Sequence, residues 1–183
     1  MLGRSLTIFA AKLIGYGLRL LLPYVLVRTL TVADFGAYRQ FFLLEVYIAA
    51  LFQFGVNQAL YYFVPRDPDN AGAYLVNSLL FNVVAYAAAF AAIGASARSL
   101  AAWLGMPILV EAFWPLAGYT LLIMLTVAGD CFLVAQGRVR AAAAFEIAGQ
   151  VLASAASLGA AYVWRDVHAV VRALVLARAV SFL

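Results

Sequence analysis

Charge is scarce in this sequence. Only 11% of its 183 residues are charged and 67% are hydrophobic, where soluble proteins carry about 25% and about 45–50%. A soluble domain of this size cannot hide so much apolar surface, because its surface-to-volume ratio leaves too much outside. With a mean hydropathy of +1.00, lipid is the solvent that fits. Cysteine is nearly absent: Cys131 stands alone, which excludes an internal disulfide and a cysteine-based metal site. His168 is the single histidine, in a turn beside Asp166, and a lone loop histidine is more often structural than catalytic. There is no G-x-S-x-G, no H-E-x-x-H, no phosphate-cradling glycine loop and no metal-ligand cluster. Nothing in the chain therefore points to an enzyme, a cofactor or a metal. The eleven Arg and one Lys stand against eight acids, a net charge of +4. They are scattered singly between apolar runs, without a basic stripe and interleaved exposed aromatics, which excludes nucleic acid as a partner and assigns them to membrane topology.

What is there is a series of long apolar runs. A membrane-spanning helix needs about 20 such residues. Five complete spans are expected, over residues 5–30, 37–64, 73–94, 108–135 and 142–164, and part of a sixth over 169–183. The first is broken by Lys12 and Arg19 and no small-residue cleavage site follows a short apolar core, so it reads as a retained helix rather than a signal peptide. Asp34 is the expected N-cap of the second. VPRDPDNAG, from Val64 to Gly72, ends that helix with two prolines and a glycine. ASARSLAAWLGMP is expected as a connection with Trp103 at an interface, and QGRVR as a tight basic turn. The fold class is thus an all-α, polytopic membrane bundle in a single domain, with about six transmembrane helices. The sixth run is about 15 residues, too short to span, so the chain is expected to be a fragment of a longer one. With the N-terminus in the cytoplasm, Arg4, Arg66, Arg138 and Arg140 lie inside and Arg28, Arg98 and Arg165 outside, which favours that orientation.

Charges inside spans are the pointers to function, because each costs about 2.5–3.5 kcal/mol at the bilayer centre on insertion scales. At 100° per residue, Lys12, Tyr16, Arg19 and Pro23 fall within about 60° of one another. Arg19 lies roughly 21 Å along the axis from Ser5, too deep for easy snorkelling. This cationic face either holds an anion such as phosphate, or carries an arginine that pairs with a buried acid or snorkels in a tilted helix. In the second helix Arg39, Gln53, Asn57 and Tyr61 share a face within about 80°, with Glu45 roughly 120° from Arg39. Gln53 and Asn57 suit interhelical hydrogen bonds, and Arg39 near the helix start can snorkel. Ser78, Asn82 and Tyr86 line one face of the third helix and read as packing. Glu146 and Gln150, four apart in the fifth, can join a polar interior. Polar groups spread thinly along several helices fit a translocation pathway better than a reaction centre.

Three segments resemble one family. RTLTVADFGAYRQFF (Arg28–Phe42), FGVNQALYYFVPR (Phe54–Arg66) and AQGRVRAAAAFEIAGQVL (Ala135–Leu152) are similar, in order and spacing, to segments of Wzx-type polysaccharide flippases of the multidrug/oligosaccharidyl-lipid/polysaccharide exporter superfamily. The resemblance implies one six-helix lobe of a two-lobe exporter, the C-terminal lobe being absent. It also implies a bacterial inner-membrane protein that moves undecaprenyl-pyrophosphate-linked oligosaccharide across the membrane by alternating access, for surface polysaccharide or O-antigen. Its partners would be that lipid-linked oligosaccharide, membrane lipid and the missing lobe. Lys12 and Arg19 would face the pyrophosphate, with Arg39, Glu45, Gln53 and Asn57 as further cavity candidates. Two alternatives share the composition: a multidrug exporter of the same fold, which would want acids for cationic drugs, and a non-transporting scaffold, whose polar residues should pair off. A membrane-embedded enzyme would need a catalytic acid or histidine in a substantial loop.

Overall fold

The computed structural model describes Gly17 and residues 22–182. All regular structure among them is helical. Residues 22–29 are helical (α1), followed by α2 (Val32–Phe52), α3 (Val56–Arg66), a 3₁₀ turn (Pro68–Asn70), α4 (Ala71–Leu104), a short α5 (Ile108–Glu111), α6 (Phe113–Ala135), α7 (Val139–Trp164) and α8 (Val167–Phe182). Four stretches are long and apolar enough to cross a bilayer: Val32–Phe52, Pro68–Leu104, Phe113–Ala135 and Val139–Trp164. Large apolar side chains such as Leu51, Val84 and Leu176 stand exposed on the outside, where lipid replaces water. The chain is an all-α membrane helix bundle.

The element boundaries differ from the sequence pattern where local chemistry intervenes. The N-cap of α2 is Thr31 and not Asp34. Thr31 Oγ1 accepts the Asp34 N–H (3.1 Å) and donates its own hydroxyl to Asp34 Oδ2 (2.6 Å), so Asp34 braces the first turn from three residues on, in the manner of a capping box. The run expected as one helix over 37–64 is two. Phe54 (φ 45°) and Gly55 (φ 70°) turn the chain in the left-handed region, which glycine adopts freely and phenylalanine does not.

The helix expected to end at Gly94 runs on to Leu104. Ser96 Oγ bonds back to the Ala92 carbonyl (3.1 Å), and Gly94 is a point of close approach rather than a terminus. A Cβ there would meet Phe113 Cζ at 3.0 Å. The helix stops at Gly105 in the left-handed region (φ 65°), whose N–H reaches the Ala101 carbonyl. The expected fourth span is divided at Ala112 into α5 and α6. Asp166 Oδ2 accepts the Ala169 N–H at 3.2 Å, so α8 starts at Val167 and not at Ala169.

Two packings matter for the site. The buried face of α7 is built from small residues, among them Ala142, Gly149, Ala153, Ser154, Ser157 and Ala160, which let α8 lie close along it. Against them α8 sets Val167, Val170, Val171, Leu174, Ala177 and Arg178. The main core, with Leu26, Phe41, Leu44, Leu116, Tyr119 and Leu174, joins α1, α2, α6 and α8. A smaller one of Leu60, Val64, Ala71 and Cys131 joins α3 to α4 and α6.

The helix ends carry interfacial chemistry. Trp103, Trp114 and Trp164 are all strongly exposed and fall, by the alternation of the helices, at one end of the bundle, as an aromatic belt would. Arg28 stacks on the Tyr24 ring (4.3 Å to the centroid) and Arg66 on Tyr62 (3.8 Å), each pair one turn apart at the C-terminal end of its helix. At the opposite end from the tryptophans, the Asp67 carboxylate accepts from Asn70 Nδ2 (2.9 Å) and Tyr74 Oη (3.0 Å). These bonds hold its pKa below the usual carboxylate range.

Candidate functional site

The polar residues of the spans sort into two places. The first is a hub among α3, α4 and α6. Asn57 is fully buried, and its Oδ1 accepts from Ser78 Oγ (2.9 Å) and Asn82 Nδ2 (2.8 Å). Asn57 Nδ2 donates to the Met124 carbonyl (3.4 Å), and Asn82 Nδ2 also reaches the Ser78 carbonyl (2.9 Å). These bonds tie α3, α4 and α6, so the hub holds helices together.

The second place is a cavity of about 690 Å³ framed by α1, α2, α6, α7 and α8. Tyr38, Arg39 and Glu45 enter it from α2, Tyr119 and Ile123 from α6, Gln150 and Ser154 from α7, and Arg178 from α8. Measured along their helices at 1.5 Å per residue, Glu45 lies about 20 Å from the start of α2 and Arg178 about 16 Å from the start of α8. In a hydrocarbon layer about 30 Å thick, both are near the middle.

The cavity's polar wall is incompletely satisfied. Arg178 Nη2 donates to Gln150 Oε1 at 3.1 Å, while Arg178 Nε and Ser154 Oγ are buried with no protein partner. Arg178 is only 8% exposed. Gly149 makes room for it: a Cβ there would lie 3.2 Å from Arg178 Nη1. Among the described residues the ion pair found is His168–Glu111 (3.8 Å), at the tryptophan end and away from the cavity. No cluster of His, Cys, Asp and Glu suited to a metal occurs among the described residues.

The candidates from sequence fall out as follows. Lys12 and Arg19 lie outside the described residues. Arg39 and Glu45 line the cavity. Gln53 and Asn57 do not line it: Gln53 is the C-cap of α2, and Asn57 belongs to the hub. The common face expected for Arg39, Gln53, Asn57 and Tyr61 is corrected, because the turn at Phe54–Gly55 interrupts the helical period between them. Ser78 and Asn82 act in packing, as their spacing indicates, and Gln150 joins a polar interior. Arg178, Ser154 and Gly149 were not singled out. For Arg178 the signal was present, a permanent cation in an apolar run, but the run is too short to place on its own.

A sequence model of the polysaccharide biosynthesis protein family matches residues 25–183. No curated protein and no solved structure matches the chain.

Proposed function

Because this chain belongs to the polysaccharide biosynthesis protein family, we propose that it takes part in translocating a lipid-linked oligosaccharide, with an undecaprenyl-pyrophosphate carrier, across the bacterial inner membrane by alternating access. The observation that carries the reading is the mid-membrane cavity bearing both Arg39 and Arg178. A diphosphate head is strongly anionic, and guanidinium groups stay charged and present fork-shaped donors to it. Gln150 and Ser154 add hydrogen-bonding groups of the kind a sugar needs. The lipid tail would remain in the bilayer between the outward apolar faces. Lys12 and Arg19 of the first span would extend the cationic lining. The bundle would act as one lobe, rocking against a second, with its N-terminus in the cytoplasm and the tryptophan end outside. A multidrug exporter would favour acids in this place; two arginines against the single acid Glu45 on the described lining speak for an anionic substrate instead.

The test is genetic and biochemical. In a strain whose surface polysaccharide depends on this gene, loss of the gene should trap lipid-linked oligosaccharide in the cytoplasmic leaflet. Arg39→Ala in the full-length protein, at unchanged expression, should reduce surface polysaccharide. Normal outer-leaflet delivery in the deletion strain would remove the flippase reading.

A further inference from the structure

The tryptophan end carries a second hollow. A groove of about 430 Å³ lies between the last turns of α4 and the short α5, and it shares no lining residue with the mid-membrane cavity. Arg98 and the small Ala101 and Ala102 enter it from α4, Val110 and Glu111 from α5. Gly105, in the left-handed region (φ 65°), ends α4, and the Met106 N–H reaches back to the Ala101 carbonyl at 3.0 Å. The chain therefore doubles back at once, which brings a cation and an acid from two helices to one hollow.

The two charges share the groove without meeting. Among the described residues Arg98 makes no ion pair, and Glu111 has His168 in range, with Nε2 at 3.8 Å from Oε2, too far for a hydrogen bond. Both charged heads thus keep donors and acceptors to spend. Counted at 1.5 Å per residue from Ala71, Arg98 lies about 40 Å along α4. The hydrocarbon layer is about 30 Å thick, and about 40–45 Å with the headgroups, so the groove stands at headgroup depth. Trp103, in the last turn of α4, and Trp114, at the start of α6, are strongly exposed on the same end, where interfacial tryptophans belong.

We propose that this groove seats the head of a zwitterionic aminophospholipid, with Arg98 receiving the phosphate and Glu111 the ammonium. Guanidinium suits phosphate, and a primary ammonium brings N–H donors to the carboxylate. A choline head has a quaternary nitrogen with no N–H to give, and an anionic head without an amine would set its charge against Glu111. The chemistry therefore selects ethanolamine heads. Exposed Leu104 and Val110 give the acyl chains an apolar surface to start from. The bound head bridges α4 and α5 and ties this end of the bundle to one leaflet.

The full-length protein, delipidated in a non-ionic detergent, is titrated with phosphatidylethanolamine, phosphatidylcholine and phosphatidylglycerol of identical acyl chains and read by native mass spectrometry. Wild type should prefer the ethanolamine lipid over the choline lipid by about threefold, the scale of a partly exposed ion pair. Arg98→Gln and Glu111→Gln should each lose the preference, and the exchange Arg98→Glu with Glu111→Arg should restore it. Ala102→Phe should lose it by filling the groove while both charges remain. All these positions are exposed, and melting curves without added lipid should match wild type. A preference for phosphatidylglycerol over both other lipids would reduce Arg98 to a topological arginine that attracts any anionic lipid and overturn the seat. Glycerophosphoethanolamine competing as well as the whole lipid would overturn the lipid as occupant. An undiminished ethanolamine preference in folded Glu111→Gln or Ala102→Phe overturns the proposal outright.

Discussion

The hub at Asn57 and the wall at Arg178 are both polar, both buried and both inside an apolar bundle, yet they are opposites. In the hub, three side chains and a carbonyl from three helices satisfy one another. On the wall, an arginine, a serine and a glutamine share a single hydrogen bond and front a cavity. In hydrocarbon a polar group has no water to fall back on. Closed networks therefore read as glue, and the open one at Arg178 and Ser154 faces a cavity. The residue types alone do not separate the two cases; the bookkeeping of donors and acceptors does.

Five substitutions can break or sharpen this contrast. Asn57→Leu has the largest expected effect, a loss of about 2 kcal/mol, since interhelical bonds in membranes average about 0.6 kcal/mol with a maximum near 1.7 and two buried donors lose their acceptor. Reversible unfolding in mixed micelles measures it, and an unchanged stability would mean that the hub is not glue. Next comes Gly55→Ala at the turn dividing α2 from α3, expected to destabilise by about 1 kcal/mol because its φ of 70° disfavours a Cβ. The same assay reads it.

The sharpest comparison is one substitution made twice. Ser78→Ala should cost about 1 kcal/mol by removing a buried hydrogen bond, while Ser154→Ala, whose hydroxyl has no protein partner, should stay within about 0.5 kcal/mol of wild type without ligand. Equal losses at both sites would erase the distinction drawn here.

The smallest effect lies outside the membrane. The lowered pKa of Asp67 means that the unfolded chain binds its proton more readily than the folded one. Its contribution is thus present above the unfolded carboxylate pKa of about 3.9 and is lost as pH falls through the lower folded value. Asp67→Asn should flatten the acid side of the stability–pH curve below about pH 4 and leave neutral pH nearly unchanged. A slope equal to wild type in that range would show that the Asn70 and Tyr74 bonds do not favour the charged form.

Much of the fold was legible from residue order. Apolar runs of spanning length, VPRDPDNAG and QGRVR marked helices and turns because lipid and backbone hydrogen bonding leave few alternatives. Misplaced boundaries had local causes: a glycine that accommodates a phenylalanine ring rather than ending a helix at Gly94, and a left-handed pair at Phe54–Gly55 in an otherwise apolar run. Two of the charges on the cavity wall were visible in the sequence. Arg39 and Glu45 stood out as charges in a span, and the structure puts both on the cavity wall. Gln53 and Asn57, read first as interhelical hydrogen-bonders, were also placed on one face with Arg39 because helical periodicity was carried through a break that the pattern of apolar residues does not reveal.

Composition by itself determined the membrane and the helix, since a chain with so few charges and such long apolar runs can satisfy its backbone in lipid only by helices or closed barrels, and these runs have helical length. Which polar residues hold the bundle and which face a cavity was decided by tertiary structure alone. That difference depends on whether a partner from another helix arrives within hydrogen-bonding distance, as Ser78 does for Asn57, and as none among the described residues does for Ser154 Oγ. Even the single cations in apolar runs, visible from the first reading of the sequence, acquired their meaning from the neighbours that packing gave them.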